Sequence, residues 1–245
     1  MRAAVLISAG LHRVSGRPAP VGVEMQAVRL ALGLGAEAAG LHAGPEWPAL
    51  RDGLGHGLSR MLHLRQEAGD DPLPALVTAL LGVPPDIVLC GRRGQGGTDS
   101  GMLPYGLAAA LGWPLLPDVV GLRRVAAGVE AEQAGLRGAR RRTVARLPCV
   151  VTVHPAAPPA RPFAHVLARG PVEVRRMPPG VPGEAFEERP RRARPRLLVA
   201  ADAAAKGGRV LAALPPEEAA AEILAHLRRI GVLAPSRREA IAESG

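Results

Sequence analysis

The hydrophobic positions of the chain form short apolar runs that alternate with segments of helical periodicity. The runs predict buried strands at Ala3–Ser8, Ala36–His42, Met61–Leu64 and Ile87–Cys90. The intervening segments carry apolar residues at helical spacing and predict helices at Glu24–Leu34, Pro48–Gly57 and Leu73–Leu81. Because strands that alternate with helices build right-handed βαβ units, the pattern predicts an α/β fold with a mostly parallel, doubly wound sheet.

The middle of the chain adds strands of a different kind. Leu115–Val120 and Cys149–Val153 are apolar runs and predict two more strands. Between them, Arg123–Val129 and Thr143–Ala145 are predicted to pair as an antiparallel ribbon around the basic turn Leu136–Arg142. The predicted sheet is therefore parallel with an antiparallel extension.

The C-terminal part of the chain has a separate pattern. Met177–Arg196 is rich in proline and charge without any period and predicts a linker or an extended arm. Pro215–Leu233 predicts a helix, with prolines at its start, acidic residues in its first turn and Gly231 after its last turn. We therefore expect an α/β nucleotide-binding domain over 1–176 and an arm with a helix over 177–245.

Composition narrows the classes of function. The net charge of +9 invites nucleic-acid binding, but aromatic residues make up only 2% of the chain, too few for base stacking. No apolar run is long enough to predict a membrane span, and the N-terminus does not resemble a signal peptide. Cys90 and Cys149 both lie in predicted buried strands, which favours core thiols over a disulfide or a metal pair. These features predict a cytoplasmic protein that binds no nucleic acid.

A glycine-rich loop follows the strand Ile87–Cys90. It carries Arg92 and Arg93, and Asp99 or Ser100 is predicted to cap the helix that comes next. Gly112 and Pro114 are expected to end that helix. Because backbone N–H groups and the helix dipole favour an anion at such a place, the arrangement predicts a phosphate site. A tight βα turn that merely needs glycine is the alternative.

Four stretches of the chain resemble electron-transfer flavoprotein β subunits. The loop, with its Gly-Arg-Arg, Asp-Ser-Gly and Leu-Gly-Trp-Pro elements, resembles the nucleotide loop of that family. The other three are Pro18 before Ala27-Val-Arg-Leu30, the turn Ala43-Gly-Pro45, and Leu147-Pro-Cys-Val-Val-Thr-Val153. The resemblance runs from residue 1 to about 233 and implies an adenine-nucleotide α-hydrolase-like version of the doubly wound fold.

The resemblance implies a non-catalytic electron carrier. Such a β subunit forms a heterodimer with an α subunit that holds most of the FAD, and it accepts electrons from a flavin-dependent dehydrogenase. For the β-subunit pocket, AMP is favoured over a second FAD, and an empty pocket stays open. The implied pocket residues are Ser8, Ala9, Arg17, Pro18, Ala43, Gly97, Thr98, Asp99, Ser100, Gly101, Met102 and Leu103.

This chain departs from the family in its pocket and in its recognition loop. Arg17 and Met102 replace uncharged polar residues, and the segment before Pro18 is short, so a hairpin that approaches the flavin in relatives is expected to be missing. The resemblance places partner recognition in Ala156–Arg169, at Arg161, Phe163, Val166 and Leu167. Alternatively, Phe163 packs on the chain's own sheet.

Signals of catalysis or metal binding are missing from the sequence. The seven histidines are scattered without a metal-ligand spacing, His56 is expected to face solvent, and no serine lies in a GxSxG motif. A second class of function remains, an AMP- or ATP-binding regulatory domain of universal-stress type. A flavin-free homodimer that binds ATP would favour that class.

Overall fold

The computed structural model describes residues 1–12, 14–95, 100–180 and 212–233. The chain divides into two compact units, Met1–Glu187 and Glu188–Gly245.

The first unit is built on one sheet, which has nine strands among the described residues. The strands are β1 Arg2–Leu6, β2 Glu37–Gly44, β3 Arg60–Arg65, β4 Ile87–Gly91, β5 Leu115–Val125, β6 Gly128–Ala134, β7 Arg140–Ala145, β8 Cys149–Val153 and β9 Val172–Arg176. Their order in space is β7-β6-β5-β8-β4-β1-β2-β3-β9. The pairs β5–β6 and β6–β7 are antiparallel and the other pairs are parallel.

Helices cover both faces of this sheet, which confirms the doubly wound α/β prediction. They are α1 Gly22–Gly33, α2 Asp52–Gly55, α3 Pro72–Gly82 and α4 Leu103–Leu111. One core contains Met25 and Val28 of α1 with Val5 and Leu89 of the sheet. The other contains Leu76 of α3, Leu107 of α4 and the opposite strand face at Val88 and Val150. Alternate side chains of the parallel strands are therefore buried on both faces.

Two predicted elements need correction. The predicted strand Arg123–Val129 is wrong, because the chain turns at Ala126-Ala127, and Arg124 of β5 lies opposite Val129 of β6. The strand that pairs with β7 around the basic turn is therefore β6. The predicted helix Pro48–Gly57 is a 3₁₀ turn, Pro48–Arg51, followed by the single-turn helix α2, in which Gly53 and Gly55 disfavour continuation.

The second unit contains a described helix, α5 Pro216–Arg229, as the sequence predicted. Its apolar residues Ile223 and Leu224 are exposed. Most of the predicted arm Met177–Arg196 lies outside the described residues. Among the helices of the described ranges, none has the length and apolarity needed to cross a membrane.

Candidate functional site

The candidate site lies where the sheet changes winding direction, at the carboxyl ends of β1 and β4. These strands are neighbours. The chain continues from β1 to β2 on one side and from β4 to β5, which lies beyond β8, on the other. Ligands of open α/β sheets bind at such a point. Ser8 follows β1 and the glycine loop follows β4, and the backbone N–H of Gln95 donates to the Ser8 hydroxyl at 2.9 Å. The fold therefore joins two of the segments that the sequence predicted for the pocket.

Glu24 of α1 also contacts Ser8, through both of its carboxylate oxygens. One carboxylate oxygen accepts from the backbone N–H of Ser8 at 2.9 Å, and the other accepts from the Ser8 hydroxyl. The side chain is only 2% exposed. Burial raises the pKa of Glu24 from its ordinary value of 4.5 to about 7, because it outweighs the opposing effect of the two hydrogen bonds from Ser8.

The segment after Ser8 folds back on itself beside the glycine loop. Leu11 and Pro18 form an antiparallel bridge, and the N–H of Leu11 donates to the side-chain oxygen of Gln95 at 3.3 Å. A Cβ at Gly10 would lie 2.6 Å from the carbonyl oxygen of Ala19, so only glycine fits there. The bridge brings Arg17 and Pro18 into the same loop as Ser8 and Ala9.

The other end of the glycine loop leads into α4. The N-cap residue is Met102 and it has no side-chain cap, so the prediction that Ser100 caps the helix is wrong. Instead, the Ser100 hydroxyl accepts from the N–H of Met102 at 3.2 Å, just before the helix begins at Leu103. Gly112 ends α4 in the left-handed conformation, as predicted. Gly97, Thr98 and Asp99 lie outside the described residues.

A cavity of about 370 Å³ opens on the α4 side of the loop. It is lined by Arg92, Arg93, Ser100, Gly101, Met102, Tyr105, Asp118 and Thr152. The cavity therefore includes three of the predicted pocket residues, Ser100, Gly101 and Met102. Ser8 and Ala9 follow β1, and Ala43 lies on β2. Two arginines and one carboxylate line the cavity, so its side chains carry a net positive charge, which suits an anionic ligand.

A bulge in β5 turns Asp118 into this cavity. The register between β5 and β8 shifts between Leu116 and Val119, and Asp118 has a φ of 55°. Its carboxylate lies 2.7 Å from Nε of Arg92, and its backbone N–H donates to the Thr152 hydroxyl at 2.9 Å. Bulges often reorient a side chain toward a site in this way. The sequence analysis missed Asp118, although Pro117 before it was a usable signal, because proline inside a strand is confined to edges and bulges.

Two histidines that look scattered in the sequence lie together in the structure. His42 and His63 are direct partners in the β2–β3 register, and their ring centroids are 5.2 Å apart. His42 donates from Nδ1 to the carbonyl of Ile7 and His63 from Nε2 to that of Gly44. Burial lowers the pKa of His42, which favours its neutral form. No cluster of metal ligands occurs within the described ranges, and we assign this pair a structural role.

The predicted recognition segment lies along α1 and α2. Side chains of α1 hold its start, because Gln26 donates to the carbonyl of Ala157 at 2.7 Å and Arg29 to that of Pro159 at 2.9 Å. His56 follows α2 and donates to the carbonyl of Arg161 at 2.8 Å. His56 is therefore a structural anchor and not a purely solvent-facing residue.

Phe163 packs against α2. A Cβ at Gly55 would lie 2.2 Å from the Phe163 ring, so the ring rests directly on that glycine, and His165 contacts it edge-on. The ring nevertheless remains 37% exposed, and Val166 is 79% exposed. The segment thus presents apolar side chains on an anchored backbone.

Comparison with known proteins identifies relatives of the whole chain. The family model described as "Electron transfer flavoprotein domain" matches residues 13–180, more than half of the chain. The chain is 37% identical over 258 residues to the electron transfer flavoprotein subunit beta of Chromohalobacter salexigens, with 94% of each chain covered. The family resemblance that the sequence motifs indicated is confirmed.

Proposed function

We propose that this chain, which belongs to the electron transfer flavoprotein family, is the β subunit of a cytoplasmic heterodimer. The heterodimer would accept electrons from a flavin-dependent dehydrogenase and pass them to a downstream acceptor. FAD, held mainly by the α subunit, would supply the electron-transfer chemistry, and this chain would supply position and a docking surface rather than catalysis. The observation that carries the proposal is the near-full-length match to a β subunit.

The exposed apolar surface of α5 supports the heterodimer. Ile223 and Leu224 leave much of their surface in solvent, and an amphipathic helix gains stability when such a stripe is buried. We expect the chain expressed alone to aggregate or to lack a flavin absorbance band. Co-expression with its α subunit should give a soluble yellow complex with one FAD. A well-behaved monomer that contains stoichiometric FAD would contradict the proposal.

We propose the glycine loop as the site of an AMP phosphate. The backbone at Ser100–Gly101 and the charge of Arg17 would hold the phosphate. Arg93 adds positive charge nearby, whereas the charge of Arg92 is balanced by Asp118. Gly97, Thr98 and Asp99 would complete the loop. Chromatography of the nucleotide released by heating the heterodimer should yield AMP. Release of two FAD per heterodimer would refute the preference for AMP.

We propose the exposed side chains of residues 161–167 as the docking anchor for the dehydrogenase. An aromatic residue beside arginine and aliphatic side chains has the composition of a binding hot spot, and Phe163, Val166 and Leu167 lie on an anchored loop near Arg161. We expect Phe163→Ala to slow reduction by the dehydrogenase about tenfold, which corresponds to about 1.4 kcal/mol of lost complex stability. Stopped-flow reduction of the folded heterodimer measures this effect.

The Phe163→Ala experiment separates docking from packing. Because the ring rests on α2, the substitution should also lower the Tm slightly, while flavin content stays unchanged. Val144→Ala is the matched control, since Val144 is also exposed but lies on β7, in a different part of the sheet. A lower Tm with a normal reduction rate would show that Phe163 only packs on its own chain.

The family match favours this proposal over the regulatory nucleotide-binding alternative. A purified chain that binds ATP as a flavin-free homodimer would reverse that preference.

A further inference from the structure

The Glu24 carboxyl group serves neither of the roles that an acid in a first helical turn commonly has. Such an acid usually faces solvent near the positive end of the helix dipole or caps the free N–H groups. Here the N-cap residue Val21 has no side-chain bond, and both Glu24 oxygens accept from Ser8. Burying a carboxyl group costs free energy that an apolar side chain would not cost. The buried carboxyl group is in position to accept both hydrogen bonds from Ser8.

Ser8 is the centre of a hydrogen-bond relay. A hydroxyl group has one donor and two acceptor positions. The single donor is directed to Glu24, which fixes the hydroxyl so that its oxygen accepts the N–H of Gln95. The Gln95 side chain in turn accepts from the N–H of Leu11. Glu24, Ser8 and Gln95, which we call the Glu24 clamp, therefore connect α1, the end of β1 and the glycine loop.

The near end of the glycine loop packs against this clamp, and the far end packs against the near end. A Cβ at Gly91 would lie 3.4 Å from Cγ of Glu24, and one at Gly94 would lie 3.6 Å from Cβ of Ser8. The far end rests on the near end, because Gly101, with a φ of 76°, would place a Cβ 3.1 Å from the carbonyl oxygen of Arg92. The position of Ser100–Gly101 therefore depends on residues 91–95, and these depend on the clamp.

We propose that Glu24 is a positioning residue that, through Ser8, holds the described ends of the glycine loop, residues 91–95 and 100–101, in the conformation that receives the nucleotide phosphate. This inference rests on the proposed nucleotide site, which it extends by naming the residues that set the loop's shape. Glu24 itself touches no nucleotide; its effect passes through Ser8 and Gln95.

The test uses the full chain co-purified with its α subunit and two substitutions that break the clamp, Ser8→Ala and Glu24→Leu. Two conservative variants serve as comparisons: Ser8→Thr keeps the hydroxyl group, and Glu24→Gln keeps an acceptor oxygen. The control is Ser59→Ala, because the hydroxyl of the exposed residue Ser59 also donates a hydrogen bond, to the backbone carbonyl of Ala38, away from the loop. Amide hydrogen exchange of peptides that cover 91–101 reports the loop directly, and calorimetry with AMP reports binding.

We expect Ser8→Ala and Glu24→Leu to speed exchange in 91–101 about tenfold and to weaken AMP binding at least fivefold. Ser8→Thr and Glu24→Gln should keep the exchange rate and the AMP affinity close to the parent values, and Ser59→Ala should change neither quantity. Unchanged exchange in Ser8→Ala would overturn the inference, and this variant decides the matter if Glu24→Leu does not fold. If the exchange pattern holds but the parent heterodimer binds no AMP, the positioning role stands and the proposed nucleotide site fails.

Discussion

Glu24→Gln is expected to make the protein more stable at pH 8 by up to about 3 kcal/mol. The amide keeps an acceptor for the N–H of Ser8 but cannot ionise. In the parent protein the pKa of Glu24 rises from 4.5 to about 7 on folding, so the folded state holds the proton more tightly than the unfolded state. The contribution of Glu24 is therefore fully favourable below pH 4.5, and it is lost as the pH rises from 4.5 to 7.

The measurement is the difference in unfolding free energy between Glu24→Gln and the parent protein, from pH 5 to pH 8. His42 acts in the opposite direction, because burial lowers its pKa and its contribution is lost as the pH falls below 6.5. Since His42 is the same in both proteins, it cancels in the difference. The advantage of the amide should grow with pH. An advantage that stays constant over this range would show that Glu24 does not titrate there.

Most helices and parallel strands of the first unit could be predicted from the apolar pattern alone. The parallel strand β9 could not, because most of its residues are exposed and give no apolar run. Ile87–Cys90 illustrates why: a run of apolar residues between prolines and glycine has few alternatives to a buried strand, and all of its residues are buried. The antiparallel extension could not be predicted so well. Its turn is Ala126-Ala127, where alanine carries no turn signal. Gly128, which has a φ of 136° and begins β6, lies inside the predicted strand Arg123–Val129.

The candidate site could be predicted in its location but not in its chemistry. Strand–glycine loop–helix sequences predict a site at the carboxyl end of β4, and the structure shows the predicted strand and helix on either side of that loop. Glu24, however, looks like an ordinary exposed acid of a first turn, since only the packing of α1 on β1 and β4 shows its burial. His42 and His63 had a usable signal, because each occupies the same place in adjacent parallel strands, and that register pairs them.

Gly55→Ala is expected to destabilise the protein by about 2 kcal/mol, the cost of placing one extra methyl group in a packed contact. The new Cβ would lie 2.2 to 2.7 Å from three ring atoms of Phe163, so the ring must leave its place on α2. The loop is tied to the same residue, since the N–H of Ala164 donates to the carbonyl of Gly55 at 2.8 Å. The displaced ring should therefore disturb residues 161–167 and slow reduction by the dehydrogenase.

A double-mutant cycle with Phe163→Ala isolates this contact. Once the ring is absent, Gly55→Ala should be neutral or stabilise by up to about 1 kcal/mol, because alanine is the better helix former. The coupling energy between the two positions should therefore be about 2 kcal/mol or more. Gly82→Ala at the end of α3 is the matched control, since its Cβ would meet no atom within 4 Å. Additive effects of Gly55→Ala and Phe163→Ala on urea unfolding would contradict the packing of Phe163 on α2.

The pair of variants also tests the docking proposal. Reduction by the dehydrogenase should be slow wherever the Phe163 ring is displaced or absent, whatever the stability of the variant.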